Sequence, residues 1–120
     1  MRFRAEQHLR RQTDIQNVRH SGRRHDCGAF VIWYVRQPAD KLPPARIAVV
    51  ASRAAVGNAV KRARAKRRLR ELFRNNQTLI PANNDLLLIA RNAINKLEYS
   101  DLDQKFTDAL KKIFKEKAVG

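Results

Sequence analysis

Acidic residues are scarce in this sequence. Among its 120 residues, 11 are Asp or Glu and 26 are Lys or Arg, which gives a formal net charge of +15. So large a positive excess cannot be neutralised within the chain and favours a polyanionic partner. Since 43% of the residues are hydrophobic, the composition excludes a wholly disordered chain, and the length predicts one domain.

Cysteine and long apolar runs are also nearly absent. The single cysteine, Cys27, excludes a disulfide within the chain and is typical of a reducing compartment. The longest apolar run, residues 29–35, is far too short to cross a bilayer. No apolar run follows the basic N-terminal residues, so we expect no signal peptide and a cytoplasmic protein.

Three classes of partner could use such a surface: nucleic acid, an anionic membrane and an acidic protein. Nucleic acid is the usual partner of a basic folded domain. A membrane-bound helix needs a broad apolar face, whereas the apolar stripe of the most basic segment is better explained by packing on a core. We therefore predict a nucleic-acid-binding protein without a membrane partner or a small-molecule substrate.

The positive charge is concentrated in residues 56–74, which contain eight Lys or Arg and one acid, Glu71. Arg, Lys, Ala and Leu are good helix formers, and residues 58–74 contain no Pro or Gly. The segment therefore predicts a helix. Its apolar stripe would be Ala65, Leu69, Leu72 and Phe73, opposite a row of Arg64, Arg67, Arg70 and Arg74. Like charges at this spacing repel each other and destabilise the helix. A row of cations kept in spite of this repulsion indicates a function for it.

The remaining pattern predicts an α+β sandwich with the order α-β-β-(β)-α-β-α, in which one strand is short and irregular. The other predicted elements are a helix at residues 14–21, a short strand within residues 23–28, strands at residues 29–37, 46–52 and 85–91, and a last helix from residue 100. Because the connection at residues 38–44 is short, we expect the strand at residues 46–52 to pair antiparallel with the strand before it.

Helix ends carry recognisable capping signals. Thr13 followed by Gln16 is a capping-box spacing, which places the start of the first helix after Thr13. Ser100 with Asp103 is a capping arrangement that would begin the last helix. Gly22 suits the left-handed position that ends the first helix.

The strand at residues 29–37 has two apolar faces. Phe30, Ile32 and Tyr34 alternate with Val31, Trp33 and Val35. Such a strand is either covered on both sides or uses its second face to bind something flat. Trp33 is accordingly either a core residue or a stacking platform for an unpaired base.

No catalytic constellation is recognisable. The sequence lacks a G-x-S-x-G motif, a P-loop and a G-x-G-x-x-G motif. His25, Asp26 and Cys27 form the only local cluster of potential metal ligands, and no second cluster stands at metal-site spacing. We interpret this cluster as a polar strand edge and expect neither a catalytic residue nor a metal site in the protein.

The segment GNAVKRARAKRRLRELFR closely resembles the signature G-N-A-V-x-R-N-R-x-K-R-x-x-R-E of the bacterial ribonuclease P protein subunit. LRRQTDIQNVRHSG, AFVIWY, RIAVVASR and DLLLIARNA are similar to that family's first helix, central strand and the strands before and after the motif. The resemblance implies an α/β sandwich similar to domain 2 of ribosomal protein S5, with a mixed sheet of about four strands and a left-handed βαβ crossover. We expect one domain over residues 1–120, with about residues 1–8 and 117–120 flexible.

The resemblance also implies a function. The protein would bind a catalytic RNA and the 5′ leader of precursor tRNA, and the RNA would carry the active site and most of the Mg²⁺. The implied contacts to the catalytic RNA are Arg53, Lys61, Arg62, Arg64, Lys66, Arg67, Arg70 and Arg74. The implied leader-binding cleft comprises Ile15, Arg19, Val31 and Trp33.

Three positions depart from the family's pattern. Ala63 replaces the Asn between the two motif arginines, which removes a side-chain amide contact. Ile15 and Arg19 stand where the family often has Phe, so Arg19 would offer a phosphate contact or planar stacking instead. Two other functions are compatible with the charge alone: a ribosomal or general RNA-binding protein, and a stand-alone protein nuclease.

Overall fold

The structure, a computed structural model, describes residues 12–37 and 45–114. Its helices and strands are α1 (Gln12–Ser21), β1 (Arg23–Asp26), β2 (Phe30–Arg36), β3 (Arg46–Val50), α2 (Arg53–Val56), α3 (Ala59–Asn75), β4 (Asn84–Ala90) and α4 (Tyr99–Ile113). Short 3-10 turns lie at Gln77–Leu79 and Asn92–Asn95. The predicted order is confirmed, with the four-residue helix α2 added. The arm at residues 1–8, the tail at residues 117–120 and the turn at residues 38–44 lie outside the described residues.

The four strands form one mixed sheet in the order β1-β2-β4-β3. Strand β2 pairs antiparallel with both β1 and β4, whereas β3 pairs parallel with β4. The predicted antiparallel pairing of β3 with β2 is therefore wrong. The physical reason is that β4, whose sequence is apolar along most of its length, occupies the place between them and hydrogen-bonds on both of its edges.

The unit β3–α3–β4 is a parallel crossover, as the resemblance implies. Its left-handedness stays a prediction. Within the described part of the chain, no helix combines the length and the apolarity needed to span a bilayer.

Helices α3 and α4 cover the first face of the sheet, which carries Phe30, Ile32, Tyr34, Leu86 and Leu88. All four residues of the predicted α3 stripe are buried. In α4, Leu102, Phe106 and Leu110 are buried, as is Phe114 directly after the helix, and Ile113 packs at the margin of the core. The two predicted helix stripes are thereby confirmed, and they meet the sheet as one core.

The predicted helix caps are wrong in detail. Thr13 lies inside α1, which already includes Gln12. Ser100 lies inside α4, whose N-cap is Glu98. Asp103 accepts a hydrogen bond from Asn76 Nδ2 at 2.8 Å instead of capping the helix, because α4 packs where the C-terminal end of α3 offers this donor.

Gly22 follows α1 as predicted, although not in a left-handed conformation. Its backbone N–H donates to the Val18 carbonyl oxygen at 2.9 Å. A Cβ at this position would lie 2.1 Å from the Val18 oxygen and 2.7 Å from the Tyr34 oxygen. Glycine is needed here because the chain passes too close to two backbone carbonyls for any side chain.

An ion pair joins β3 to β4 on the second face of the sheet. Arg46 donates through Nε and Nη2 to the two carboxylate oxygens of Asp85, at 2.8 and 2.7 Å. Gln37 Nε2 donates to the same carboxylate at 2.7 Å. The Asp85 side chain is 2% exposed, so the carboxylate depends on these donors for its solvation.

Replacing Arg46 by methionine should therefore lower the free energy of unfolding by about 3 kcal/mol, because it leaves a buried carboxylate without its cation. Urea denaturation of the full chain measures this quantity. The matched control is Arg36→Met, an exposed strand arginine for which a change within about 0.5 kcal/mol is expected. Equal losses in the two variants would contradict the assignment.

Candidate nucleic-acid interface

The basic helix α3 begins three residues later than its sequence segment suggests. Ser52 Oγ accepts from the Ala55 N–H and caps the short helix α2, which precedes it. Gly57 then adopts a φ of 117°, a value that favours glycine, and separates the two helices. Asn58 Oδ1 accepts from the Lys61 N–H at 3.0 Å and caps α3. This sharp, capped start sets the direction of the helix.

Seven of the eight predicted RNA contacts lie on α3, and Arg53 begins α2. Lys61, Arg64, Arg67 and Arg70 are exposed, whereas Arg62, Lys66 and Arg74 are partly buried. The one acid of the helix, Glu71, forms an ion pair with Arg74 at 3.6 Å. Because the opposite stripe is fixed in the core, the exposed cations form one continuous surface, hereafter the α3 cationic face.

Arg68 has a different role from its neighbours. Its guanidinium donates to the carbonyl oxygens of Ile94 and Leu97, at 2.8 and 2.6 Å. Burial, together with the charge of Arg64, lowers the pKa of Arg68. Asn95 makes a parallel tie, donating through Nδ2 to the Lys61 carbonyl oxygen at 2.9 Å. Arg68 therefore holds the segment after β4 against α3.

The sequence contains a signal for this role that charge counting overlooks. Arg68 stands three residues after Ala65 and four before Leu72, so it flanks the buried stripe. A long arginine at the margin of a buried stripe can extend its stem along apolar surface and place its donors on nearby carbonyls.

Arg62 is also partly buried, and its Nε has no hydrogen-bond partner among the described residues.

The second face of the sheet is the predicted leader-binding side. Helix α1 lies against β2 and β4 on this face, with Val18 fully buried between them. In register, Trp33 stands beside Leu87, which stands beside Ala48. Trp33 is partly buried, and Val50 at the open edge is 38% exposed. The helix therefore covers only part of this apolar face, and the predicted leader cleft would lie on the partly exposed surface beside it.

The four predicted cleft residues do share this side of the molecule, but they differ in exposure. Ile15 is partly buried and Arg19 is exposed on α1. Val31 is 3% exposed, so it supports the cleft from beneath and offers little surface to a ligand. Trp33 is neither fully buried nor fully exposed, which leaves part of its ring available.

A cavity of about 620 Å³, which the sequence reasoning missed, opens where β3 and β4 end. Its apolar lining includes Ile89 and Ala55, and its polar lining includes Ser52, Arg91 and Asn92. The carboxyl ends of parallel strands are a usual place for binding sites, so the polar residues directly after two parallel strands were the available signal. That signal depends on the parallel pairing, which the sequence did not reveal.

The cluster His25, Asp26 and Cys27 does not gather as metal ligands. Asp26 accepts from the Gly28 N–H at 2.8 Å, which lowers its pKa, and it pairs with Arg91 at 3.1 Å. Burial raises the pKa of the Cys27 thiol to about 11, so it is protonated at neutral pH. Across residues 12–37 and 45–114, no three His, Cys, Asp or Glu side chains come together as metal ligands.

Comparison with known proteins identifies the family. The family model described as Ribonuclease P matches residues 3–114. The ribonuclease P protein component of Syntrophobacter fumaroxidans is 39% identical over 105 residues, covering 87% of this chain and 85% of that protein. The corresponding protein of Petrotoga mobilis is 33% identical over 115 residues, covering 92% and 94%.

Solved structures agree with this result. The ribonuclease P protein of Thermotoga maritima superimposes with a TM-score of 0.74 at 25% identity, covering 88% of this chain and 96% of that chain. The Staphylococcus aureus protein, at 24% identity, shares the fold with a TM-score of 0.74 and coverage of 88% and 93%. The predicted fold class and the predicted family are therefore confirmed. The chain belongs to the ribonuclease P protein family, and its role is that of a protein component of ribonuclease P.

Proposed function

We propose that this protein binds the catalytic RNA of ribonuclease P through the α3 cationic face and holds the 5′ leader of precursor tRNA in the cleft beside α1. The complex then removes the leader by Mg²⁺-dependent hydrolysis and leaves the mature 5′ end of the tRNA. The observation that carries the proposal is a rigid helix that buries one face completely and presents arginines on the other.

The α3 cationic face suits RNA phosphates. Arg64, Arg67 and Arg70 follow one another at steps of three residues, or about 4.5 Å of helix rise. Guanidinium groups bind phosphates through paired, charge-assisted hydrogen bonds. Because the helix is anchored by its buried stripe, these groups need little ordering on binding. The unpartnered Nε of Arg62 adds a buried donor that an RNA acceptor would satisfy.

The cleft beside α1 suits a single strand. Trp33 offers part of an indole ring on an otherwise apolar sheet face, and unpaired bases stack on such rings whatever their identity. Arg19 is exposed on α1 and supplies a cation for the strand's phosphates. The cavity at the end of β4, lined in part by Ser52 and Arg91, would extend this path.

Catalysis is assigned to the RNA. Mg²⁺ prefers carboxylate and carbonyl oxygens, and the acid on α3, Glu71, is already paired with Arg74. The described acids form no cluster that suits the ion, so we derive no step through a protein-bound metal. The contribution of the protein is to bind substrate and to offset repulsion between the phosphates of the two RNA partners, which lowers the Mg²⁺ concentration that the RNA requires.

Reconstitution tests the whole proposal. The full chain, added to the catalytic RNA at low Mg²⁺, should restore cleavage of precursor tRNA that the RNA alone performs poorly. The affinity of the complex for precursor tRNA should exceed its affinity for mature tRNA. Equal affinities would favour a general RNA-binding protein, and cleavage that survives removal of all RNA would reveal a protein nuclease.

Two adjacent arginines give a sharper prediction about the catalytic RNA. Arg67→Ala should reduce the slope of log affinity against log salt by about 0.7–0.9, because one phosphate contact is lost. Arg68→Ala should leave this slope unchanged and lower the free energy of unfolding by about 2 kcal/mol, because it removes hydrogen bonds to Ile94 and Leu97.

Filter binding over a salt series and urea denaturation measure the two quantities. Lys105→Ala, on the exposed side of α4, controls for the loss of one charge and should change neither. An unchanged slope for Arg67→Ala would show that its side chain does not contact phosphate.

A second prediction concerns the leader. Trp33→Leu keeps apolar volume in the sheet and removes the ring, so precursor tRNA should bind the holoenzyme about 5- to 150-fold more weakly, the equivalent of about 1–3 kcal/mol of stacking. Mature tRNA should bind as before. Trp33→Tyr keeps an aromatic ring and should retain most of the affinity. If both tRNAs weaken equally, Trp33 is a core residue and not a stacking platform.

A further inference from the structure

A second concave site lies at the end of β2, where first-face residues of the sheet meet Val35 and the last residue of α1, Ser21. Its volume is about 290 Å³, which is near the lower limit for small-molecule pockets. The residues that matter for its chemistry are Ser21, Arg23, Tyr34, Arg36, Asn84 and Phe114. None of the lining residues that the structure describes is acidic. Because the site adjoins β2, this strand borders two proposed binding sites, the pocket at Tyr34 and the leader cleft at Trp33.

Strand register brings two arginines to one tyrosine. Arg23 on β1 is the direct partner of Tyr34 on β2, so the two side chains stand on the same face. Arg36 follows Tyr34 by two residues and shares that face as well. Arg23 and Arg36 are thus diagonal neighbours, about 7–8 Å apart between Cα atoms. The aromatic ring is bracketed by two cations.

Both guanidinium groups are available to a ligand. Arg23 and Arg36 are exposed, and neither forms an ion pair or hydrogen bond with its side chain among the described residues. Like charges on neighbouring strands destabilise a sheet unless something separates or neutralises them. Within residues 12–37 and 45–114, no acid lines the pocket and neutralises them.

The negative C-terminal ends of two helices could neutralise these arginines without a ligand. The carbonyl ends of α1 and α4 lie beside this pocket, at Ser21 and Ile113, and each carries about half a negative charge. Together they would balance about one of the two arginines. Lys111 and Lys112 in the last turn of α4 already serve its end. A surplus of positive charge therefore remains at the pocket after the helix ends are counted.

The aromatic part of the pocket sets the class of ligand. Tyr34 and Phe114 form an edge-on pair, with ring centroids 6.2 Å apart and planes inclined at 63°. A free inorganic anion would pair with the arginines and make no stacking contact with the aromatic rings. A groove that combines aromatic rings with arginines is the usual arrangement for single-stranded nucleic acid, where bases stack and phosphates pair with the cations.

We infer that this pocket binds one nucleotide of an unpaired RNA strand, with its phosphate between Arg23 and Arg36 and its base against the partly buried ring of Tyr34. The site is separate from the leader cleft, since Tyr34 and Trp33 point to opposite faces of β2. Of the strands that the structure describes, β1 alone lies beyond β2 on that side, so RNA that passes around this edge can contact both faces.

Residue-resolved NMR titration of the ¹⁵N-labelled full chain at low salt tests the inference, with a tetrauridylate as the probe. The amide signals of Ser21, Tyr34 and Arg36 should shift and saturate. Arg36→Gln should weaken the affinity read from these signals at least fivefold, and Arg23→Gln, on the other strand, should do the same independently. Lys105→Gln removes the same charge outside the pocket and should change it less than twofold.

Inorganic phosphate and uridine are titrated separately. Phosphate that saturates the same signals as tightly as the tetrauridylate would overturn the inference in favour of an anion site. Signals that stay still while those of α3 and Trp33 move, or an equal loss in Lys105→Gln, would overturn it as well. The titration contains neither catalytic RNA nor tRNA, so its outcome does not depend on the proposed leader cleft.

Discussion

The docking of α3 on the sheet is the contact on which the other features depend. Full burial of Leu69, Leu72 and Phe73 contributes about 1.5–3 kcal/mol for each side chain. Repulsion between neighbouring cations on the outer side costs about 0.2–0.5 kcal/mol per pair. Burial therefore exceeds repulsion, and a helix too basic to be stable alone becomes a rigid cationic surface. The same docking places Arg68 against the segment that follows β4.

The sheet divides the molecule into surfaces with different uses. Among the residues that the structure describes, α3 and α4 cover its first face except near Tyr34, whereas α1 covers only part of its second face. Alternation along β2 sends Tyr34 to one side and Trp33 to the other, so adjacent residues belong to the two separate sites proposed above. Membership of the ribonuclease P protein family implies an RNA partner, which the proposed use of the α3 cationic face would fit. It does not account for the arginines beside Tyr34.

Predictions from the sequence succeeded where they rested on the spacing of apolar side chains within one helix or strand. They failed where the outcome depended on contacts with a segment distant in the chain. The α3 and α4 stripes and the two faces of β2 were predicted correctly, because each follows from side-chain spacing within one element. The caps at Thr13 and Ser100 were wrong, since each helix already includes the residue that carries the local capping signal. Gly22 was placed correctly at the helix end, but the close approach of the Tyr34 carbonyl could not be foreseen.

The sequence by itself determined the positive surface of α3, the apolar strands and the family, because these are properties of contiguous residues. Only the tertiary structure decided that β3 lies beside β4, that Arg68 turns inward and that Arg23, Tyr34 and Arg36 share a pocket. Each of these facts joins segments separated in the chain, and their pairing depends on which buried strand takes the central place. The spacing of side chains within one strand does not show which strand will take the central place. In the folded protein β4 takes it, buried between β2 and β3.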